Sequence, residues 1–255
     1  MTGASEVVTA PAPLLRLAGV TKSFPDGTDA VAGVDLVVRP GELVAVVGPS
    51  GCGKSTLLHL VAGLARPSGG TLTRATDRVG YVFQDPTLLP WRTVRRNVEL
   101  FGELADLPRA ERRRRAERVL AAVGLTEFAD HRPGQLSGGM RMRAALARAL
   151  LVEPELFLFD EPFAALDEIT RQDMGEELLR LFDQRGFGAI FVTHSVAEAV
   201  YLASRVLVMS ARPGRVLREI EVAVAHPRRP EFRRTDTFAT LVGEVSEALA
   251  VGSAR

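Results

Sequence analysis

Cysteine, tryptophan and lysine are almost missing from this 255-residue sequence, which has one Cys (Cys52), one Trp (Trp91) and two Lys (Lys22, Lys54). One thiol cannot close an internal disulfide, so a disulfide-stapled scaffold is excluded and a reducing compartment fits. An excess of one charge is missing too. The 32 basic side chains against 31 acidic ones leave a net charge of +1, so no global field draws the chain to nucleic acid or anionic lipid. No apolar run approaches the roughly 18 residues that span a bilayer. The longest, around Leu43–Gly48 and Leu156–Phe159, have strand length. The start lacks a basic segment followed by a long apolar one, so no secretory signal is read there. Its Ala, Thr and Pro content predicts a flexible leader over 1–13. The remainder, 46% apolar and 25% charged, is ordinary globular composition, which rules out a disordered or collagen-like chain. Because arginine carries nearly all the positive charge, a retained lysine marks chemistry that arginine cannot do.

Short strands with turns at Pro25-Asp26-Gly27 and Ala32-Gly33 are expected from Leu14 to about Leu36. The valine-rich run Leu43–Val47 reads as a strand buried on both faces, followed by a glycine-rich turn and a helix from Lys54 to Ala62 stopped by Gly63. Val79–Gln84 is another strand. The character is helical from about Asp85 to Glu153, with helices over Glu111–Val123 and Ser137–Leu151. Leu156–Phe159 and Ala189–Thr193 return to strand, with helices at Ile169–Gln184 and Val196–Ala203. Arg212-Pro213-Gly214 reads as a hairpin turn between Arg205–Met209 and Arg215–Ile220, and a final helix falls near Phe238–Ala250. Strands alternating with helices argue for a parallel α/β sheet, and the helical insertion for a second lobe.

Gly48-Pro49-Ser50-Gly51-Cys52-Gly53-Lys54-Ser55-Thr56 fits Gly-x-x-x-x-Gly-Lys-Ser between a strand and a helix. The glycines let backbone N–H groups curl round an oxyanion, and the helix aims its positive end at the same place. Lys54 can reach the β- and γ-phosphates as a point charge, and Ser55 can bind Mg²⁺. Cys52 occupies a variable position and needs no redox role. Asp160-Glu161 directly follows a strand. There Asp160 can hold Mg²⁺ through water and Glu161 can take a proton from an attacking water. His194 also ends a strand. Ser137 is a good N-cap, and Gly138 and Gly139 expose N–H groups at the start of a long helix, a second anion site that a kinase or small GTPase does not need.

With these motifs in order over about Leu14–Ile220, the chain resembles the ATP-binding-cassette (ABC) ATPases. The resemblance matches Phe24 to the aromatic residue that stacks on adenine, and Gly48–Thr56 to the Walker A loop. It matches Gln84 to the Q-loop that senses Mg²⁺ and water, and Leu136–Met140, with Ser137, Gly138 and Gly139, to the signature motif. Phe157–Glu161 match Walker B with its catalytic Glu161, Ala165-Leu166-Asp167 the D-loop, and His194 the switch histidine. It implies an α/β fold with a RecA-like P-loop core, an antiparallel β subdomain and an inserted α-helical subdomain. The boundaries expected are an ATPase domain over 14–225, with its helical part at about 85–153, and a tail over 226–255. It also implies a head-to-tail homodimer sandwiching two ATP, with Mg²⁺ at Ser55, Gln84 and Asp160, and Ser137 acting across the dimer. Met142 stands where the family often has glutamine, and Ala164 where it often has serine or glycine.

Gln84–Val98 and Val206–Val216 look like the importer branch for nitrate, sulfonate or taurine. That implies a peripheral subunit on the cytoplasmic face of the cell membrane, working with integral membrane permease subunits and a substrate-binding protein. Importers of pyrimidine-like vitamin precursors resemble the first segment too, and an exporter half-system or a soluble regulator shares all the motifs. Trp91 is expected to be exposed, because its partner surface lies on another chain. The Arg112–Arg115 run, flanked by Glu111 and Glu117 without interleaved aromatics, reads as a solvated helix face, and no nucleic-acid partner is expected.

Overall fold

The computed structural model describes residues 11–253. The leader read over 1–13 therefore falls, for residues 1–10, outside the described residues, as do the last two residues of the tail. Strands β1 (Leu15–Ser23) and β2 (Asp29–Val38) form an antiparallel hairpin, and β4 (Gly69–Arg74) pairs on the other edge of β1. The turn at Pro25-Asp26-Gly27 closes as expected, with Asp26 Oδ1 accepting from the Thr28 N–H at 2.9 Å. The turn expected at Ala32-Gly33 is not there. Gly33, at φ +68°, lies inside β2, where register shifts against β1 absorb the irregularity. The sequence reading also missed β4, whose Gly-Gly-Thr start carries no apolar alternation.

The main sheet runs β5 (Val79–Val82), β6 (Leu156–Asp160), β7 (Gly188–Val192), β3 (Leu43–Val47), β8 (Arg205–Met209), β9 (Val216–Glu221). All neighbours are parallel except β8 and β9, the hairpin around Arg212-Pro213-Gly214. Central β3 is buried throughout and splits by period two. Leu43, Ala45 and Val47 join the core with the buried phenylalanines Phe157, Phe159 and Phe191, while Val44 and Val46 face Leu57, Leu58 and Leu60 of α1 (Lys54–Ala62). Burying each such side chain is worth about 1.5–3 kcal/mol, so this strand sets the middle of the sheet. Crossover helices α5 (Glu168–Arg185) and α6 (Val196–Leu202) return the chain between parallel strands.

The helical lobe consists of α2 (Val94–Leu104), α3 (Arg109–Ala122) and α4 (Gly138–Leu150). Its helices start later than the composition suggested, because Gln84–Thr93 is loop: Pro86 and Pro90 remove N–H donors and disfavour helix at the residues before them. β5 likewise ends at Val82, so Gln84 lies past the strand. The arginine run lies on α3, where Arg113, Arg114 and Arg115 pair with Glu117 or Glu111.

The tail folds back onto the core. Arg228, only 5% exposed, donates to the carbonyls of Val200, Tyr201, Ala203, Val222 and Val224, and burial pushes its pKa down to about 10. Arg233 stacks 3.4 Å above the Tyr201 ring and bonds Glu176. The last helix, α7 (Asp236–Ser253), packs on α6, β8 and β9. His226 enters this region with both ring nitrogens buried and unpartnered, and desolvation, helped by Arg228, pushes its pKa down to about 4. The unfolded chain binds a proton near the ordinary value of 6.5 that the folded chain refuses until about pH 4. The melting temperature is therefore expected to fall as pH drops through that window, and His226→Phe to flatten the fall. An unchanged slope in thermal melts of the variant would contradict this.

Candidate functional site

Parallel strands β6, β7 and β3 lie side by side, so the residues following their C-terminal ends meet on one edge of the sheet. After β3 the chain turns through Gly48–Gly53 into α1. Gly53 sits at φ +108°, and a Cβ there would stand 2.4 Å from the Ala30 carbonyl oxygen, so only glycine fits. Lys54, 5% exposed, is drawn back into the loop: its Nζ donates to the carbonyls of Gly48 at 2.9 Å and Pro49 at 3.0 Å. Ser50, Gly51 and Ser55 are exposed and Thr56 is half-buried. The loop thus opens onto solvent at the positive end of α1. Burial pushes the Cys52 thiol up, with Lys54 only partly offsetting it, which leaves Cys52 an unreactive packing residue.

β6 delivers Asp160 beside this loop, and Ser55 Oγ donates to Asp160 Oδ1 at 2.9 Å across a sequence distance of 105 residues. Tyr81 on β5 donates to the other oxygen at 3.1 Å, and burial beside Asp160 pushes its phenol well up, so it stays a donor. Sequence reasoning missed Tyr81. Its only signal is the parallel pairing of β5 with β6, which becomes visible in the folded sheet. Among the described residues no group of three His, Cys, Asp or Glu could hold a metal alone. A hydroxyl and a carboxylate side by side fit Mg²⁺ instead, which binds through one or two protein oxygens plus phosphate oxygens and water. Gln84 is exposed, and no hydrogen bond joins it to Ser55 or Asp160.

Glu161 follows with φ +46°, a left-handed backbone rare for a non-glycine residue, held by its N–H to the Val192 carbonyl at 3.0 Å. That backbone turns the carboxylate across the sheet edge. Its Oε2 lies 2.8 Å from His194 Nδ1, and its Oε1 lies 3.9 Å from Lys54 Nζ. Three segments distant in sequence, the start of α1 and the ends of β6 and β7, thus contribute an ammonium, a carboxylate and an imidazole in a row. A carboxylate held by imidazole at a phosphate cradle can take a proton from water.

Phe24 lies at the β1–β2 turn, 40% exposed, with Lys22 Nζ 5.3 Å above its ring. A second connection was not foreseen. Arg212 Nε, in the β8–β9 hairpin, donates to the Gly51 carbonyl at 3.0 Å. The next-but-one residue, Gly214, exchanges backbone hydrogen bonds with Ala30 and Ala32, and a Cβ on it would meet the Cys52 carbonyl at 2.2 Å. The hairpin read only as a turn is a wall of the phosphate loop.

The remaining predicted residues form another corner. Ser137 caps α4, accepting from the Met140 N–H at 3.2 Å. Asp167 caps α5, accepting from Thr170 N–H at 3.0 Å and Thr170 Oγ1 at 2.7 Å. A Cβ on Gly139 would stand 2.6 Å from Thr170 Cγ2, and Gly138 lies against Leu166. Among the described residues no hydrogen bond or ion pair joins Ser137–Gly139 to Gly48–Thr56. Met142, 3% exposed, packs in the helical core, so its departure from glutamine is a matter of packing.

The loop between β5 and α2 is pinned from both sides. Arg148 of α4, 5% exposed, donates to the carbonyls of Pro86 and Thr87. Fully buried Asn97 bonds Leu89 N–H at 2.7 Å and returns its amide to Leu89, Arg92 and Thr93 carbonyls. Trp91 is left 69% exposed on this rigid loop, as expected.

The ABC transporter family pattern matches residues 31–164, the stretch holding the phosphate loop, the Ser137–Gly139 cap and Asp160-Glu161. This chain belongs to the ABC transporter family. It is an ATP-binding and ATP-hydrolysing cassette, with the RecA-like core, antiparallel β subdomain and helical lobe described above. Its relatives include the aliphatic sulfonates import ATP-binding protein SsuB of Rhodopseudomonas palustris (strain BisA53), 46% identical over 94% of this chain and 84% of that protein. The taurine import ATP-binding protein TauB of Yersinia pestis bv. Antiqua is 44% identical over 82% of the cassette and 84% of its own length. Among solved structures, the dimeric bacterial ABC transporter cassette MJ0796 superposes with TM-score 0.72 at 33% identity, covering 83% of this chain and all of that one. Among the described residues no helix of the cassette is long and apolar enough to cross a membrane.

Proposed function

We propose that this cassette hydrolyses ATP to energise import of a small organosulfonate or related oxyanion through a separate membrane permease, fed by a substrate-binding protein. The observation that carries the chemistry is the row Lys54, Glu161, His194 beside the paired Ser55 and Asp160. In the proposed reaction Lys54 leaves the Gly48 and Pro49 carbonyls for the β- and γ-phosphates. The Gly48–Thr56 amides cradle the same oxygens, and Phe24 stacks on adenine. Glu161 takes the proton of the attacking water, and His194 orients Glu161 and faces the γ-phosphate. Mg²⁺, when bound, would be held by Ser55 and Asp160, with Gln84 as a further proposed ligand from the loop after β5, and would neutralise charge on the phosphate oxygens. Ser137, Gly138 and Gly139 act on the ATP of a second copy, with the Asp167 turn beside them. The dimeric form of the MJ0796 cassette supports this pairing, and the separation of the two corners within one chain is what such a pairing needs.

The working unit is taken as 14–225, with its helical part at 85–153 and the tail over 226–255 bracing it. The names of the sulfonate and taurine relatives support the solute class. The exposed, pinned Trp91 loop supports a permease docking surface, and hence a peripheral position on the cytoplasmic face of the membrane. The test is reconstitution with the permease in proteoliposomes. ATPase activity is expected to rise when binding protein loaded with taurine or an alkanesulfonate is added, and Trp91 fluorescence to shift blue as the permease covers it. Full turnover without stimulation, and a spectrum unmoved by the permease, would overturn the importer reading.

A further inference from the structure

Arg171 stands at the start of α5 and faces two loops at once. Its Nη2 donates to the Leu166 carbonyl, in the turn before Asp167, at 3.0 Å. Its Nε lies 3.4 Å from Glu198 Oε1 on α6. The other oxygen of Glu198 accepts from Thr193 Oγ1 at 2.5 Å, and Thr193 Oγ1 in turn accepts from the Ser195 N–H at 3.0 Å. Thr193 is 2% exposed and immediately precedes His194. A line of contacts therefore runs from the Asp167 turn through Arg171, by an ion pair without a hydrogen bond at Nε to Glu198, and through Thr193 to the adjoining backbone of His194, whose imidazole meets Glu161.

Two features make this line more than a local staple. The Glu198 side chain is 13% exposed and that of Arg171 22%, so water screens the pair weakly. Without Arg171, Glu198 keeps its Thr193 hydrogen bond but loses its ion pair, whereas without Glu198, Arg171 keeps Glu168, 3.4 Å from its Nη1. At the far end, Ile169 projects from the same turn with 76% exposure, an apolar side chain beside a tightly capped Asp167. That end is open to a second copy and the near end is tied to the reacting groups. Burial also pushes the Glu198 carboxyl up, partly offset by Thr193 and Arg171, in keeping with a sheltered pair.

We propose that Arg171 and Glu198 are positioning residues that couple the Asp167 turn to His194, so that contact of that turn with a second copy sets the imidazole and Glu161 for hydrolysis. This rests on the roles of His194 and Asp167 proposed above. The test is a double-mutant cycle in the full chain, measuring kcat, KM for MgATP and melting temperature for Arg171→Ala, Glu198→Ala and the double variant, with His194→Ala alongside. Each single variant is expected to lose kcat by about tenfold or more with KM nearly unchanged, and the double variant to be no worse than the poorer single one. Glu198→Gln, which still accepts from Thr193 but lacks the charge, is expected to fall between. Should the alanine variants fail to fold, Arg171→Lys and Glu198→Gln complete the same cycle. Additive losses, or a lowered melting temperature with kcat intact, overturn the coupling while leaving the site reading standing. Unimpaired hydrolysis in His194→Ala overturns the site reading, and the coupling with it.

Discussion

Glu161→Gln is expected to bind MgATP nearly as the native cassette does and to lose hydrolysis by about 10²–10⁴-fold. The amide keeps the shape of the carboxylate and can still meet His194 Nδ1, 2.8 Å away in the native site. It cannot take a proton. The phosphate loop is untouched, since Gly48–Gly53 is held by Gly53 against Ala30 and by Arg212 on the Gly51 carbonyl, and Lys54 loses only its 3.9 Å ion contact with Glu161 while keeping the Gly48 and Pro49 carbonyls. ATP that is bound but not cleaved should hold two copies together, so a dimer peak should appear on a sizing column with MgATP and vanish without it. The left-handed backbone at Glu161 is kept by its N–H to Val192, and glutamine meets the same constraint, so the melting temperature should barely move. Normal turnover in this variant would remove Glu161 from the proposed role.

Ser137→Arg is expected to abolish ATPase activity by about a hundredfold or more while leaving nucleotide affinity of the single chain near normal, a loss of oxyanion-type stabilisation rather than of binding. Within one chain Ser137 lies beside the Asp167 corner, away from Gly48–Thr56, so a bulky cation there leaves the chain's own phosphate loop open. If the Ser137–Gly139 amides serve a second copy's ATP, the same cation fills that space. The lost cap to the Met140 N–H costs about 1 kcal/mol, which lowers the melting temperature of a chain this size by about 2–4 °C. A small thermal shift with a large loss of turnover is therefore the expected signature. Retained activity would mean that the α4 terminus takes no part in catalysis.

How much of this was legible beforehand varied by element for physical reasons. The helix Lys54–Ala62 with its Gly63 stop, the strand Leu43–Val47 and the Arg212-Pro213-Gly214 hairpin were readable because each rests on local chemistry: a glycine cap, a valine run, a turn tripeptide. Ala32-Gly33 misled because glycine permits a bulge inside a strand as readily as a turn, and pairing with β1 decided between them. β4 was invisible because it is an edge strand with no buried residue, defined by its partner β1.

The residue types of the proposed site, Lys54, Ser55, Asp160, Glu161, His194 and the Ser137–Gly139 cap, were legible in the sequence alone, since each stands in a motif whose spacing carries its chemistry. Tertiary structure decided the relations among them. Parallel pairing of β6, β7 and β3 brings Asp160 to Ser55 and His194 to Glu161. Packing on Thr170 puts Ser137–Gly139 with Asp167 rather than with the phosphate loop. Tyr81, Arg212 and the Arg171–Glu198 pair gained partners from strands, hairpins and helices far off in sequence. Such contacts depend on which backbone segments pack together, and side-chain type along one chain does not encode that pairing locally.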